Sequence, residues 1–302
     1  MEEMTTGLCP KCGHTLQIPA ELERFSCMYC GERLTKRQLL TQPEEASCSE
    51  EDCAVSFDHA VSRLGWCVQN FRGYQKKILR DAFFEAFETY ETGCAPVIQE
   101  LNSCVRPERQ TELLDRAAEA MLGELSAGWE KKNDMEDEKV ILAIFFVPMV
   151  RKLQLPVSEE FVSLLQKKWV ERYPKSPFYL GDYESISGGF RKKFLGLCFI
   201  TTAVCQELDK PDDCAELTAF RAFRDGYLAA QPDGEALIRE YYNIAPGIVT
   251  CINTCSDRHA SYERIREQYL TPCYEDLLAG RNADCKTRYV QMVRDLEREY
   301  LN

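Results

Sequence analysis

Four cysteines near the N-terminus have the spacing of metal ligands. Cys9 and Cys12 form one Cys-x2-Cys pair. Cys27 and Cys30 form a second pair after residues 13–26. A gap of two residues lets both sulfurs of a pair face one ion, and two pairs supply the four thiolates of a tetrahedral zinc site. Because such a site has no open coordination position, we predict one structural Zn²⁺ ion with no catalytic role.

A small β structure must hold these cysteines together. Thr15–Pro19 and Arg24–Ser26, between the two pairs, have strand-like sequences, and Gly13 and Gly31 permit a tight backbone after each pair. So short a segment buries too little apolar surface to fold alone, and zinc binding would supply the missing free energy. Residues 1–40 resemble the zinc-ribbon family. The resemblance implies a small β fold around one zinc ion.

The charge of this segment indicates the class of partner. Residues 1–40 are neutral, because their basic and acidic residues are equal in number: Lys11, Arg24, Arg33, Lys36 and Arg37 against Glu2, Glu3, Glu21, Glu23 and Glu32. The whole chain has a net charge of −12. Phosphate binding needs concentrated Lys and Arg, so both observations favour a protein partner and disfavour nucleic acid.

The composition indicates the cellular compartment. The chain of 302 residues is 45% hydrophobic and contains 16 cysteines. Its first residues lack the basic and apolar regions of a signal peptide, and the longest apolar run, Val140–Val150, is too short to span a bilayer and contains Pro148. We therefore expect a cytoplasmic protein with reduced thiols and no membrane association.

The predicted fold class is mainly α, with a small N-terminal β ribbon at residues 1–40, a helical middle region and a C-terminal helical bundle. Residues 41–55 are acidic and lack basic residues, which is typical of a linker. Residues 56–175 have helical periodicity and form a predicted helical domain. Prolines and glycines in residues 169–189 indicate a long connection. Residues 190–302 form the predicted C-terminal domain.

Prolines mark two further expected breaks. A helix over Glu136–Leu153 is expected to kink or end at Pro148, because proline removes a backbone hydrogen bond. Asp233 precedes another helix, and Pro246 is expected to open a separate one.

Motifs in the C-terminal domain have a family resemblance. They are Cys198–Ala203, Glu216–Thr218, Phe220–Asp225 and Tyr241-Tyr242 with Pro246. In this order, residues 190–255 resemble the CFI-box C-terminal domain of bacterial proteins. Val204-Cys205 stands where the commoner form of the box has tyrosine and glycine. The resemblance implies no reaction and no catalytic residue.

The residues themselves leave three interpretations of Cys198 open. It is a small buried residue packed beside Thr201–Ala203, or a nucleophile, or part of a metal or redox cluster with other cysteines and one histidine. The candidates for that cluster, by helical spacing, are Cys205, Cys251, Cys255 and His259. A nucleophile needs a base, and His259 is the histidine of this domain.

Arg221 and Arg224 are also expected to form internal ion pairs, with Asp213, Glu216 or Glu240 as the candidate partners. Together these features favour an interaction or scaffold protein that does no catalysis. The alternative is a thiol-dependent enzyme or redox sensor centred on Cys198 and Cys205, which would need a partly exposed thiol with a lowered pKa.

Overall fold

A computed structural model describes residues 4–11, 14–39, 50–131, 133–191, 198–254 and 257–302. By backbone contacts the chain forms two compact units, residues 1–54 and 55–302. The first unit contains the β structure, and the second is helical. This confirms the predicted fold class of a mainly α protein with a small N-terminal β part.

The first unit contains two antiparallel hairpins. Strand β1 (Met4–Leu8) pairs with β2 (Thr15–Pro19), and β3 (Arg24–Ser26) pairs with β4 (Arg33–Thr35). Alternate side chains of β2 point inward, because successive residues of a strand face opposite sides. Leu16 and Leu34 are buried with Cys9 and Cys27 in a small cluster of their own. The strand-like segments predicted at 15–19 and 24–26 are therefore confirmed.

Helices α1 to α7 form the first part of the second unit. Their bounds are α1 Glu50–Ser62, α2 Trp66–Gln69, α3 Phe83–Cys104, α4 Gln110–Ala127, α5 Asp134–Ile141, α6 Val147–Lys152 and α7 Ser158–Arg172. A π-helical turn, Leu142–Phe146, joins α5 to α6. Helix α1 begins inside the segment 41–55 that was predicted to be a linker, and residues 40–49 lie outside the described part of the chain.

Helices α8 to α14 follow. Their bounds are α8 Tyr183–Arg191, α9 Phe199–Glu207, α10 Ala215–Ala222, α11 Gly234–Thr254, α12 Arg258–Ile265, α13 Thr271–Leu278 and α14 Asn282–Tyr300. Two further π-helical turns, Phe223–Leu228 and Arg266–Leu270, continue α10 and join α12 to α13.

Helix α11 packs against both parts of this unit. It contacts α9, α12 and α14 in the C-terminal part of the unit. It also contacts α8 and the turn Leu142–Phe146, which come earlier in the chain. One cluster of buried side chains runs from Phe57 to Leu301. The boundary expected between residues 175 and 190 falls inside this unit, so a division into two independent domains stays a prediction.

Helix α8 occupies part of the segment where a long connection was expected. Its start is fixed by Asp182, whose Oδ1 accepts a hydrogen bond of 2.8 Å from the backbone N–H of Ser185. Near its end, the Phe190 ring stacks on Phe83 with ring centroids 4.2 Å apart. This capping and packing outweigh the low helix propensity of Gly188 and Gly189.

The expected helix opening at Pro246 is wrong. Helix α11 runs continuously from Gly234 to Thr254 and contains Pro246. Most of its middle is buried, and this burial stabilises the helix enough to tolerate one missing hydrogen bond. At Pro148 the regular helix gives way to the π turn just before the proline, which agrees with the expected local distortion.

Candidate metal centre and the buried cluster around Cys198

The structure brings together three of the four cysteines predicted to bind metal. The sulfur atoms of Cys9, Cys27 and Cys30 all lie within 4.8 Å of one another, and the Cys9 and Cys30 sulfurs are 3.8 Å apart. In a tetrahedral site with Zn–S bonds of about 2.3 Å, two sulfurs lie about 3.8 Å apart. The three thiols are therefore placed where they could hold one metal ion. Cys12, the fourth predicted ligand, lies outside the described residues.

Local backbone bonds create this arrangement. Cys9 directly follows β1, and its N–H donates to the carbonyl of His14 at 3.0 Å. The N–H of Cys27 donates to the Glu32 carbonyl at 2.8 Å, while Gly31 donates to the Cys27 carbonyl at 2.9 Å. Gly31 has a φ of +72°, which a residue with a Cβ rarely adopts. The second hairpin thus has a tight turn that holds Cys27 and Cys30 close together, and the backbone bond of Cys9 holds the third thiol at the end of β1.

Two apolar side chains lie on the surface next to these thiols. Met28 is 77% exposed and Tyr29 is 58% exposed, both between Cys27 and Cys30. The Tyr29 ring stacks on His14 with centroids 4.2 Å apart. His14 thus contributes an aromatic face beside the turn.

Cys198 lies at the start of α9 in a buried polar cluster. It is 4% exposed. Arg224 donates from Nη1 to the Cys198 sulfur at 3.5 Å and to the Tyr242 hydroxyl at 3.1 Å. The same guanidinium holds the Asp225 carboxylate through Nε at 2.6 Å and Nη2 at 2.8 Å. This geometry lets one arginine join α9, the turn after α10 and α11.

Both arginines form ion pairs, as expected, with largely exposed carboxylates that were not among the candidate partners. Arg224 pairs with its neighbour Asp225, and Arg221 pairs with Asp212 at 2.8 Å. Glu216 instead contacts Lys210. The choice depends on where the loop before α10 places each carboxylate, which helical periodicity does not specify.

A small cavity of ≈ 60 Å³ borders this cluster. Its wall is mainly apolar, and the polar residues that line it are Cys198, Arg224, Glu240, Tyr241, Tyr289 and Arg294. Tyr241 accepts a hydrogen bond from the Ile200 N–H at 3.0 Å, and the Tyr289 hydroxyl donates to the Tyr241 hydroxyl at 3.4 Å. The two tyrosine hydroxyls of this wall thus have partners inside the protein.

The electrostatics of the cluster disfavour a thiolate. Burial raises the pKa of the Cys198 thiol, and the opposing effect of the Arg224 and Arg221 charges does not reverse it. Burial also raises the pKa of Tyr241 and of Tyr289. A raised pKa keeps the thiol protonated near neutral pH, whereas an activated nucleophile needs a lowered one.

His259, the candidate base for Cys198, lies on the surface beside two carboxylates. His259 is exposed on α12, where Nδ1 is 3.4 Å from Glu207 and Nε2 is 3.5 Å from Glu263. Cys251 is buried on the preceding helix α11, and Cys255 lies outside the described residues. Within the described part of the chain, no histidine forms a hydrogen bond with Cys198.

Cys205 belongs to a group that sequence reasoning missed. Its sulfur lies 3.7 Å from the sulfur of Cys214, and Glu216 completes a set of three possible ligands within 4.8 Å. Helical spacing suggested Cys198 as the partner of Cys205. Seven residues of helix rise by about 10 Å, which separates these two thiols. The spacing Cys214-x-Glu216 at a helix start was the available signal, but it is too short a pattern to indicate a site.

None of the helices in the described residues combines the length and the apolar character that a membrane crossing requires. No protein-family model matches the chain, and no curated protein or solved structure matches it either.

Proposed function

We propose that this chain is a cytoplasmic zinc-ribbon protein whose N-terminal unit serves as a protein-interaction or scaffold module. Cys9, Cys12, Cys27 and Cys30 bind one structural Zn²⁺ ion in this proposal. The observation that carries it is the convergence of three of these thiols at the spacing of a tetrahedral site. With the fourth thiolate the ion is fully coordinated, so zinc stabilises the ribbon and takes no part in a reaction.

The surface of the ribbon supports a protein partner. Met28 and Tyr29 are exposed at the tip of the second pair, and aromatic and Met side chains are enriched in protein interfaces. The neutral charge of residues 1–40 and the net charge of −12 give little attraction for phosphate. The absence of disulfides among the described cysteines is compatible with a reducing compartment.

Crosslinking from the ribbon tip tests the interaction role. A photoreactive phenylalanine in place of Tyr29 is expected to give protein adducts in cells. The matched control carries the same group in place of Tyr179, which is 53% exposed in the second unit. Combining the Tyr29 replacement with Cys9→Ser and Cys27→Ser removes the zinc ligands and should abolish the adducts.

Three outcomes contradict the proposal. Nucleic-acid adducts at position 29 contradict a protein partner. Adducts that match those from position 179 indicate no specific surface. Adducts that survive loss of the zinc ligands show that the folded ribbon is not required.

A further inference from the structure

A second group of metal-ligand side chains lies between α9 and α10. Cys205 is on α9, Cys214 directly precedes α10, and Glu216 is in the first turn of α10. One ligand atom from each lies within 4.8 Å of the others. We call these three residues the α9–α10 site.

The backbone between the helices brings the two cysteines together. Asp209 has a φ of +53°, a left-handed conformation that ends α9 and reverses the chain. The N–H of Lys210 then donates to the Cys205 carbonyl at 2.9 Å. At the other end, the Cys214 carbonyl accepts a hydrogen bond of 3.0 Å from Thr218 and so begins α10. Both cysteines are thus anchored on helix ends, which makes their spacing a property of the fold.

The spacing fits a tetrahedral metal ion. The two sulfurs are 3.7 Å apart, and the Cys9 and Cys30 sulfurs of the ribbon are 3.8 Å apart. Zn–S bonds of about 2.3 Å require a separation of about 3.8 Å.

Other cysteines of this unit have a different environment. Cys67 lies 3.6 Å from the Arg63 carbonyl, and Cys273 lies 3.9 Å from the Cys285 carbonyl. Each also has a thiol neighbour, Cys94 beside Cys67 and Cys285 beside Cys273. Among the described residues of this unit, the α9–α10 site differs because a carboxylate joins its two sulfurs and makes three possible ligands.

The charges around the site also fit a divalent cation. Two thiolates and one carboxylate on a divalent ion carry a net charge of −1. Lys210 contacts Glu216 and would neutralise that charge as an outer partner. Cys205 is 3% exposed, whereas Cys214 and Glu216 are partly exposed, so the site has both a buried side and an access side.

A pocket beside the site has room for a fourth ligand. It offers ≈ 10 Å³ of water-sized space and is lined by Cys205, Glu216 and Arg266, among others. That is about the volume one water molecule needs. The Nε atom of Arg266 is buried and has no hydrogen-bond partner within the described residues. A ligand in this pocket would offer it an acceptor.

We propose that Cys205, Cys214 and Glu216 bind a thiophilic divalent cation of the Zn²⁺ class, with a fourth position left for water or an added ligand. Three protein ligands and one open position are typical of metal sites that exchange ligands, whereas structural sites are closed. The site is independent of the ribbon zinc. It would give the helical unit a metal ion with an open coordination position, which the Cys198 cluster does not offer.

Metal analysis of the full chain tests this site. After reconstitution with Zn²⁺ under reducing conditions, the wild type is expected to hold two ions per chain. The Cys9→Ser, Cys27→Ser variant should hold one, and the Cys205→Ser, Cys214→Ser variant should also hold one. Loading the ribbon variant with Co²⁺ should give the sulfur-to-cobalt charge-transfer absorption of a thiolate site. If that variant holds no metal and shows no such absorption, the proposal is overturned.

Conservative variants keep the test independent of folding. Glu216→Gln, made in the ribbon variant, should weaken Co²⁺ binding about tenfold or more, because it removes a charged ligand. Asp212→Asn is the matched control, since its side chain is 70% exposed in the same loop and pairs with Arg221. Equal Co²⁺ affinity in the Glu216→Gln and Asp212→Asn variants would show that the carboxylate is not a ligand.

Discussion

At the scale of single residues, Glu138 shows how the helical unit holds a buried charge. Its side chain on α5 has no exposed surface. One carboxylate oxygen accepts a hydrogen bond from Arg72 Nε at 2.7 Å, and the other accepts one from the Trp129 indole at 2.8 Å. A buried carboxylate is tolerated only while such partners compensate its lost hydration. Removal of one member would therefore leave a buried charge without compensation.

Arg72→Ala is expected to lower the free energy of unfolding by about 3 kcal/mol, because it leaves the Glu138 carboxylate without its cation. Arg109→Ala is the matched control, since Arg109 and its partner Glu112 are both exposed on the surface. That change is expected to cost less than about 1 kcal/mol. Urea denaturation at neutral pH measures both. Equal losses in the two variants would contradict a role for burial.

At the scale of elements, α11 depends on one close approach. A Cβ at Gly247 would lie 1.9 Å from the backbone oxygen of Ile78. Glycine is therefore required here for space and not for an unusual φ. The contact holds α11 close to the segment before α3, one residue after Pro246.

Two glycine variants separate space from helix propensity. Gly247→Ala is expected to destabilise the protein strongly, because the clash is with backbone that cannot rotate away. Gly123→Ala on α4 meets no atom within 4 Å and should stabilise by about 0.5–1 kcal/mol, since alanine loses less entropy in a helix. Thermal unfolding of both variants measures whether each substitution lowers or raises the stability of the protein. A stabilised Gly247→Ala would show that α11 lies further from Ile78.

At the scale of the whole molecule, the two units have different sources of stability. The helical unit has a continuous core from Phe57 to Leu301. The small cluster of the first unit consists of Leu16 and Leu34 with the thiols of Cys9 and Cys27. So few buried apolar side chains offer little hydrophobic free energy, and we therefore expect the proposed metal ion to stabilise this unit.

Removal of metal by a chelator, with a reductant present, is therefore expected to unfold the ribbon alone. Backbone amides of β2 and β4 should lose protection from hydrogen exchange, because their fold depends on the ion. Amides in α3 and α4, in the large core, should keep theirs and serve as the internal control. Mass spectrometry of peptic fragments measures both. Protected β2 amides in the metal-free chain would contradict this dependence.

Prolines show why helix boundaries were harder to predict than helix content. Pro148 follows a π turn, and Pro246 lies within a continuous helix. A proline costs one backbone hydrogen bond wherever it occurs. Whether the helix then ends, widens or continues depends on how much burial its neighbours provide, and those neighbours come from distant parts of the chain.

Features that depend on neighbours along the chain could be predicted from the amino-acid sequence. The Cys-x2-Cys spacing predicted the thiols that converge at the ribbon, and short-range patterns predicted β2, β3 and the helical character of the rest. Those patterns are local, because the spacing of two metal ligands and the period of a helix are both defined within a few consecutive residues.

Contacts between groups far apart in the sequence became visible only in the folded chain. The fold places Cys205 beside Cys214 and Glu216, and it buries Cys198 against Arg224. The left-handed turn at Asp209 and the packing of α9 on α11 set these contacts. The fold of the whole unit brings these groups together in space. Neither residue type nor periodicity specifies such contacts.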